Sequence, residues 1–120
     1  CPLHDITVRD ALRDERPVAV LVASPGSCDI SYCPPALDLL LLAVGAHPRM
    51  RFVHAEVYLD PAEGVDSVLG GTTDIVAAYG LDHEPALFVA DAAGVLQHRL
   101  DHIFDASELT EVLDAVDGQT

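Results

Sequence analysis

The tightest constraint on this chain is a pair of adjacent prolines that directly follows the second of two closely spaced cysteines. Cys28 and Cys33 have four residues between them, and Pro34 and Pro35 come next. Proline removes a backbone hydrogen bond inside a helix but is tolerated in its first turn. Because a long apolar segment follows the prolines, we expect a helix that begins at Pro34, so that both cysteines precede it.

The prolines also decide whether the two cysteines can be bonded to each other. At this spacing in a continuous helix, their Cα atoms would be roughly 8 to 9 Å apart, and a disulfide needs less than about 7 Å. With the helix starting at Pro34, the segment from Cys28 to Tyr32 is free to fold as a loop or a single turn. We therefore expect that Cys28 and Cys33 can form a disulfide.

Hydrophobic periodicity, capping residues and turn residues predict the element order α-β-α-β-α-β-β-α. In residue numbers these elements are 7–14, 18–23, 34–45 or 34–47, 51–58, 72–79, 86–90, 95–100 and 108–116, with a loop over 59–71. The alternating first part predicts parallel strands, and a tight turn from Asp91 to Gly94 predicts an antiparallel last pair. The predicted fold class is therefore α/β, with a mixed four-stranded sheet between helices on both faces.

Two details of these helices are also predicted. Thr7 is the expected N-cap of the first helix, and Ser107 is expected to open the last one. The helix after Pro34 includes four consecutive leucines, Leu39 to Leu42, and is apolar nearly all round. Such a helix is expected to be buried on more than one side.

Length and charge limit the classes of function. The chain has 120 residues, a net charge of −14, six arginines and no lysine. The length predicts one domain over residues 1–120. The large negative net charge argues against nucleic acid and anionic membrane surfaces as partners. No apolar run reaches the roughly 18 residues of a membrane span.

The chain resembles the thioredoxin-like superfamily. The resemblance rests on the strand that runs into Cys28 and Cys33 at a helix start, on Pro85 entering the apolar run 86–89, and on the Asp91 to Gly94 turn. It implies a three-layer α/β/α sandwich. The spacing of the cysteines is most similar to a bacterial branch with a C-x4-C pair, whose members are mostly inferred to be exported.

The resemblance implies thiol-disulfide exchange with protein thiols or disulfides, through Cys28 and Cys33 and with no cofactor beyond the disulfide. Cys28 takes the place of the attacking thiol, although a helix N-terminus would favour Cys33 and Asp29 would raise the pKa of Cys28. Pro85 takes the place of a cis-proline that faces the cysteines and contacts substrate. Neighbouring substrate-binding candidates are Glu84 and Tyr32.

Other functions stay open at this stage. Cys28, Cys33 and His83 would suit Cu(I) or zinc, as in a copper-delivery protein of the same fold. A thiol peroxidase is disfavoured because Pro25 and Leu21 replace the Thr and Pro of the peroxidase signature. A non-catalytic binding module with a structural disulfide is the remaining alternative. His54 is expected to be an ordinary core or surface residue.

The expected location is outside the cytosol. The sequence begins at Cys1, and a processed N-terminus, a trimmed chain and a lipid anchor on that cysteine all stay open. A redox partner protein is also expected. A cytoplasmic location stays open.

Overall fold

The computed structural model describes residues 3–23, 33–57, 74–78, 80, 85–101 and 104–118, with the backbone alone at residues 33, 34 and 74. The elements are α1 Val8–Leu12, β1 Val18–Val22, α2 Cys33–Ala46, β2 Arg51–Ala55, α3 Asp74–Ala78, β3 Ala86–Ala90, β4 Leu96–Asp101 and α4 Ala106–Asp117. The predicted order of elements is thus confirmed. The predicted loop over 59–71 lies outside the described residues.

The four strands form one mixed sheet in the order β2-β1-β3-β4. β1 pairs parallel with β2, and β3 pairs antiparallel with both β1 and β4. The expectation that the alternating first three strands would all be parallel is therefore wrong for β3. The described helix between β2 and β3 has five residues, about 7 Å of axis, which is shorter than the strands. β2 ends and β3 begins at the same end of the sheet, because Ala55 and Ala86 both pair with Val22.

The sheet separates two apolar clusters. On one face, Ala19, Leu21 and Leu87 pack with residues of α2 and α4, among them Leu40 and Leu113. On the other face, the alternate residues of the same strands pack with residues of α1 and α3; they include Val18, Val20, Val22, Phe88, Ala11, Ile75 and Val76. This three-layer arrangement confirms the predicted fold class.

Local chemistry explains the turns and caps, with one correction. Thr7 Oγ1 accepts a hydrogen bond from Asp10 N at 3.1 Å, which confirms the predicted cap of α1. The cap of α4 is Asp105, not Ser107: Asp105 Oδ1 accepts from Glu108 N at 2.8 Å, and Glu108 Oε1 accepts from Asp105 N at 3.2 Å. The predicted turn between β3 and β4 is confirmed, with Gly94 at φ +84°.

The expectation that α2 is buried on more than one side is wrong for its middle. Leu40 is fully buried, but Leu42 is 79% exposed and Leu41 is 37% exposed. The sheet and α4 pack against one side of α2, and Leu42 lines an open groove between α2 and α4. Among the helices that the structure describes, none combines the length and the apolar character that crossing a bilayer would require.

Candidate functional site

Cys33 lies at the N-terminus of α2. The helix begins at Cys33 itself, one residue earlier than predicted, with Pro34 and Pro35 in its first turn. This position agrees with the tolerance of a first helical turn for proline. Cys28 and Tyr32 lie outside the described residues, and so does the side chain of Cys33. The predicted disulfide between Cys28 and Cys33 therefore stays a prediction.

Pro85 lies at the end of the sheet from which the cysteine segment departs. β1 and β3 pair antiparallel with Val22 opposite Ala86. Continuing the register by one residue places Pro85 opposite Ala23, the last described residue before Cys28. Pro85 and Ala23 are both fully buried. Glu84 and His83, which precede Pro85, lie outside the described residues, so their predicted roles stay predictions.

Ala23 is fixed to β2 through both of its backbone polar groups. Its N–H donates to the carbonyl oxygen of Ala55 at 3.1 Å. Its carbonyl oxygen accepts a hydrogen bond from Nε2 of His54 at 2.8 Å. Since a buried backbone group without a partner is costly, the side-chain donor completes the hydrogen bonding of Ala23 where the strand ladder stops. The end of β1 is thereby held in one position.

His54, for which the sequence predicted only an ordinary core or surface position, belongs to this region. Its side chain is 3% exposed. Nδ1 of His54 lies 2.9 Å from Nε2 of His4, and the two rings are tilted with centroids 5.1 Å apart. Because a carbonyl oxygen only accepts, Nε2 of His54 carries a proton; in the neutral ring Nδ1 then accepts from His4. No local pattern indicates this role, because Ala23 and His4 are distant in sequence.

The N-terminal segment runs beside β2 at the same place. The carbonyl oxygen of Leu3 accepts a hydrogen bond from the backbone N–H of His54 at 3.0 Å. Leu3 is fully buried within the cluster that also contains Ala23 and Leu40. Glu56 Oε1 lies 3.8 Å from Nε2 of His54. His54 therefore connects the N-terminal segment, β2 and the end of β1.

A second histidine pairs with an acid at the far end of α2, away from Cys33. His47 Nε2 lies 2.7 Å from Asp114 Oδ1, and His47 Nδ1 lies 3.1 Å from the carbonyl oxygen of Ala43. Burial by itself would lower the pKa of His47. The hydrogen bonds to Asp114 and Ala43, together with the charges of Asp114 and Asp117, outweigh it and raise the pKa above its usual range. Both ring nitrogens face acceptors, so the protonated ring satisfies both.

The described residues hold no cluster of three or more His, Cys, Asp or Glu side chains that could bind a metal ion. The alternative metal site predicted from Cys28, Cys33 and His83 falls outside the described side chains. The two neighbouring histidines, His4 and His54, also lack a third ligand within the part of the chain that the structure describes.

An apolar cavity of about 370 Å³ lies on the face of the sheet that packs with α1. Its lining includes Leu12, Val18, Phe88 and Arg99, and the guanidinium of Arg99 lies 5.1 Å from the centre of the Phe88 ring. Val18 is at the start of β1, whereas Ala23 and the cysteine segment follow its end. The cavity is therefore remote from Cys33.

Comparison with solved structures identifies the fold. A thioredoxin-like protein, solved in solution in its oxidised form, has a TM-score of 0.72 and 19% identity, over 98% of this chain and 87% of its own. A thiol-disulfide isomerase from Corynebacterium glutamicum has a TM-score of 0.67 and 14% identity, over 99% and 91%. Mitochondrial thioredoxin 3 from Saccharomyces cerevisiae, in its oxidised form, has a TM-score of 0.65 and 16% identity, over 89% and 85%.

Sequence comparison adds no narrower assignment. No protein-family model matches the chain, and no curated protein matches it in sequence. The structural likeness shows a thioredoxin-like fold and confirms, at the level of the fold, the resemblance read from the sequence. The narrower likeness to a C-x4-C branch stays a prediction.

Proposed function

We propose that this chain, which has a thioredoxin-like fold, is a thiol-disulfide oxidoreductase whose reactive groups are Cys28 and Cys33. The observation that supports the proposal most directly is that α2 begins at Cys33. The strand that precedes this helix in the chain is β1, which lies between β2 and β3 in the sheet. A 14-residue helix directs its positive end toward this residue. Such an end stabilises a thiolate and lowers the pKa of a nearby thiol.

Pro85 is the second support. Pro85 directly precedes β3, the strand that pairs with β1, and β1 leads toward Cys28. Proline has no N–H to donate. A substrate peptide that reaches the cysteines would therefore meet no backbone donor at position 85. We assign Pro85, with Glu84 and Tyr32, to substrate binding.

The proposed reaction transfers a disulfide between the substrate and the cysteine pair. The thiolate of Cys28 attacks one sulfur of the substrate disulfide, and the other substrate sulfur leaves as a thiolate that takes up a proton. The thiolate of Cys33 then attacks Cys28 in the mixed disulfide and releases the second substrate thiol. The pair thereby loses two electrons and two protons, and the substrate gains them. The reverse sequence oxidises a substrate dithiol.

The partners follow from this chemistry. Substrates would be protein thiols or disulfides, and a second redox protein would restore the cysteine pair. The exchange needs no cofactor beyond the disulfide itself. An exported or envelope location, a lipid anchor on Cys1 and a single domain over residues 1–120 stay predictions; an oxidising compartment would suit a dithiol–disulfide protein.

The proposal is tested by measuring exchange of the purified chain with glutathione and its reduction of insulin. Cys28→Ser and Cys33→Ser are each expected to abolish turnover, because neither single thiol can complete the transfer. Cys1→Ser is the matched control and is expected to keep wild-type turnover. Absence of exchange with every dithiol and disulfide tried would overturn the proposal. Turnover that survives Cys28→Ser would assign the attack to another thiol.

A further inference from the structure

His54 has contacts that an ordinary core residue does not need. Its ring is almost completely buried, and Nε2 donates to the carbonyl oxygen of Ala23 at 2.8 Å. The backbone N–H of Ala23 is already bonded to Ala55. Without the ring, the carbonyl oxygen of Ala23 would lose this partner in the interior, because Ala23 itself is fully buried. An unsatisfied buried carbonyl favours local rearrangement of the backbone.

The position of Ala23 makes this contact relevant to the cysteines. Ala23 is the last described residue before Cys28, and it follows β1 directly. The other anchor of the cysteine segment is Cys33, at the first position of α2. The two described ends of the cysteine segment are therefore Ala23, which His54 contacts, and Cys33, which begins α2.

The geometry points to His54 as a positioning residue for the Cys28/Cys33 pair, acting through its hydrogen bond to Ala23. This inference rests on the proposed function. A fixed strand end keeps one thiol near the other before the bond forms, and so raises their effective concentration. The disulfide is then more stable relative to an external thiol. His4 holds the ring from the other side through Nδ1, at 2.9 Å.

Two substitutions separate the two ring nitrogens. In His54→Gln, the side-chain amide nitrogen reaches the position of Nε2 and can still donate to Ala23. In His54→Asn, the shorter amide reaches only the position of Nδ1, so the bond to Ala23 is lost and a contact with His4 is possible. The two variants are similar in polarity, and far-UV circular dichroism checks that both fold. His98→Asn, on β4, is the matched control for replacing a histidine of the sheet.

The measurement is the equilibrium constant between the Cys28–Cys33 disulfide and glutathione. His54→Gln and His98→Asn are expected to stay within about twofold of the wild type, whereas His54→Asn is expected to lower the constant roughly three- to tenfold, through the lower effective concentration of the thiols. Equal constants for His54→Gln and His54→Asn, whether both unchanged or both lowered, would overturn the role of the donor at Nε2.

A second readout keeps this test separate from the proposed function. Amide hydrogen exchange at Ala23, whose N–H is bonded to Ala55, reports the strand end without any thiol chemistry. Faster exchange in His54→Asn than in His54→Gln shows that the donor at Nε2 holds the strand end. If the wild-type chain then shows no exchange with glutathione, the proposed function fails while this hold on Ala23 stands. Equal amide exchange in both variants would overturn the positioning role.

Discussion

Ala23 and Pro85 each lie one residue beyond the Val22–Ala86 pair that ends the β1–β3 ladder, and both are fully buried. One residue leads into the cysteine segment and the other leads into β3. They come from parts of the chain that are far apart in sequence, and the antiparallel register brings them together. The interior at this end of the sheet is consequently closed by a small side chain and a proline ring.

Pro85→Ala is expected to destabilise the protein by about 2 kcal/mol, because it removes two buried ring carbons and gives the unfolded chain more freedom. Urea unfolding measures the change. Pro48→Ala is the matched control: Pro48 is exposed in a turn, so only the effect on the unfolded chain applies and the loss should be below about 1 kcal/mol. Equal losses for the two variants would contradict a packing role for the ring of Pro85.

The His47–Asp114 pair predicts a pH dependence of stability. Its hydrogen bonds and the nearby charges outweigh burial and raise the pKa of His47 in the folded protein above the unfolded value of about 6.5. A raised pKa means that the folded state binds the proton more tightly. The contribution of the pair is therefore fully present below about pH 6.5 and is lost as the pH rises through the higher folded value.

Asp114→Asn should remove most of this dependence. Asp114 is 64% exposed, so solvent screens the pair and we expect a loss of only about 1 kcal/mol at about pH 6, shrinking toward alkaline pH. Urea unfolding of both proteins across this range gives the difference directly. Glu111→Gln removes the charge of an exposed acid on the same helix and controls for net charge. A difference that grows with pH would show that the sign is wrong.

The capping box of α4 predicts a contrast between two neighbouring residues. Asp105→Ala removes the acceptor for Glu108 N and is expected to cost about 1 kcal/mol of stability. Ser107→Ala lies inside the helix, where alanine is the better helix former, and should be neutral or slightly stabilising. Thermal unfolding of both variants checks the assignment. The opposite ranking would support Ser107 as the cap.

Two leucines of α2 predict a second contrast. Leu40 is fully buried, and Leu42 is 79% exposed. Leu40→Ala should lower the free energy of unfolding by about 2 to 5 kcal/mol, since it opens a cavity in the core. Leu42→Ala should change it by less than about 0.5 kcal/mol. Comparable losses at both positions would mean that α2 is covered on the side of Leu42 as well.

Local signals predicted the features that depend on neighbouring residues. The apolar run of β3 and the turn from Asp91 to Gly94 were predicted correctly, because a strand and its turn are encoded within a few residues. The cap at Asp105 was missed, although Glu108 three residues later matches a capping box and would have indicated it. The exposure of Leu42 could not be predicted, because consecutive leucines do not indicate which side of a helix is buried.

Features that depend on distant residues were harder to predict. The direction of β3 is not encoded in its side chains; it follows from the end of the sheet at which the chain enters the strand. The role of His54 depends on Ala23 and His4, and neither has a sequence signal that connects it with His54. For the cysteine pair itself, the position of Cys33 at the start of a helix was predicted to within one residue from the rules for proline.

The strand order has a consequence for how the chain is synthesised. β1 lies between β2 and β3 in the sheet. Both strands follow β1 in the sequence, and β3 follows it by more than half the length of the chain. A protein is made from its N-terminus, so Cys28 and Cys33 leave the ribosome long before β1 has both of its partners. The earliest opportunity for these thiols to be oxidised therefore precedes the sheet that will hold them.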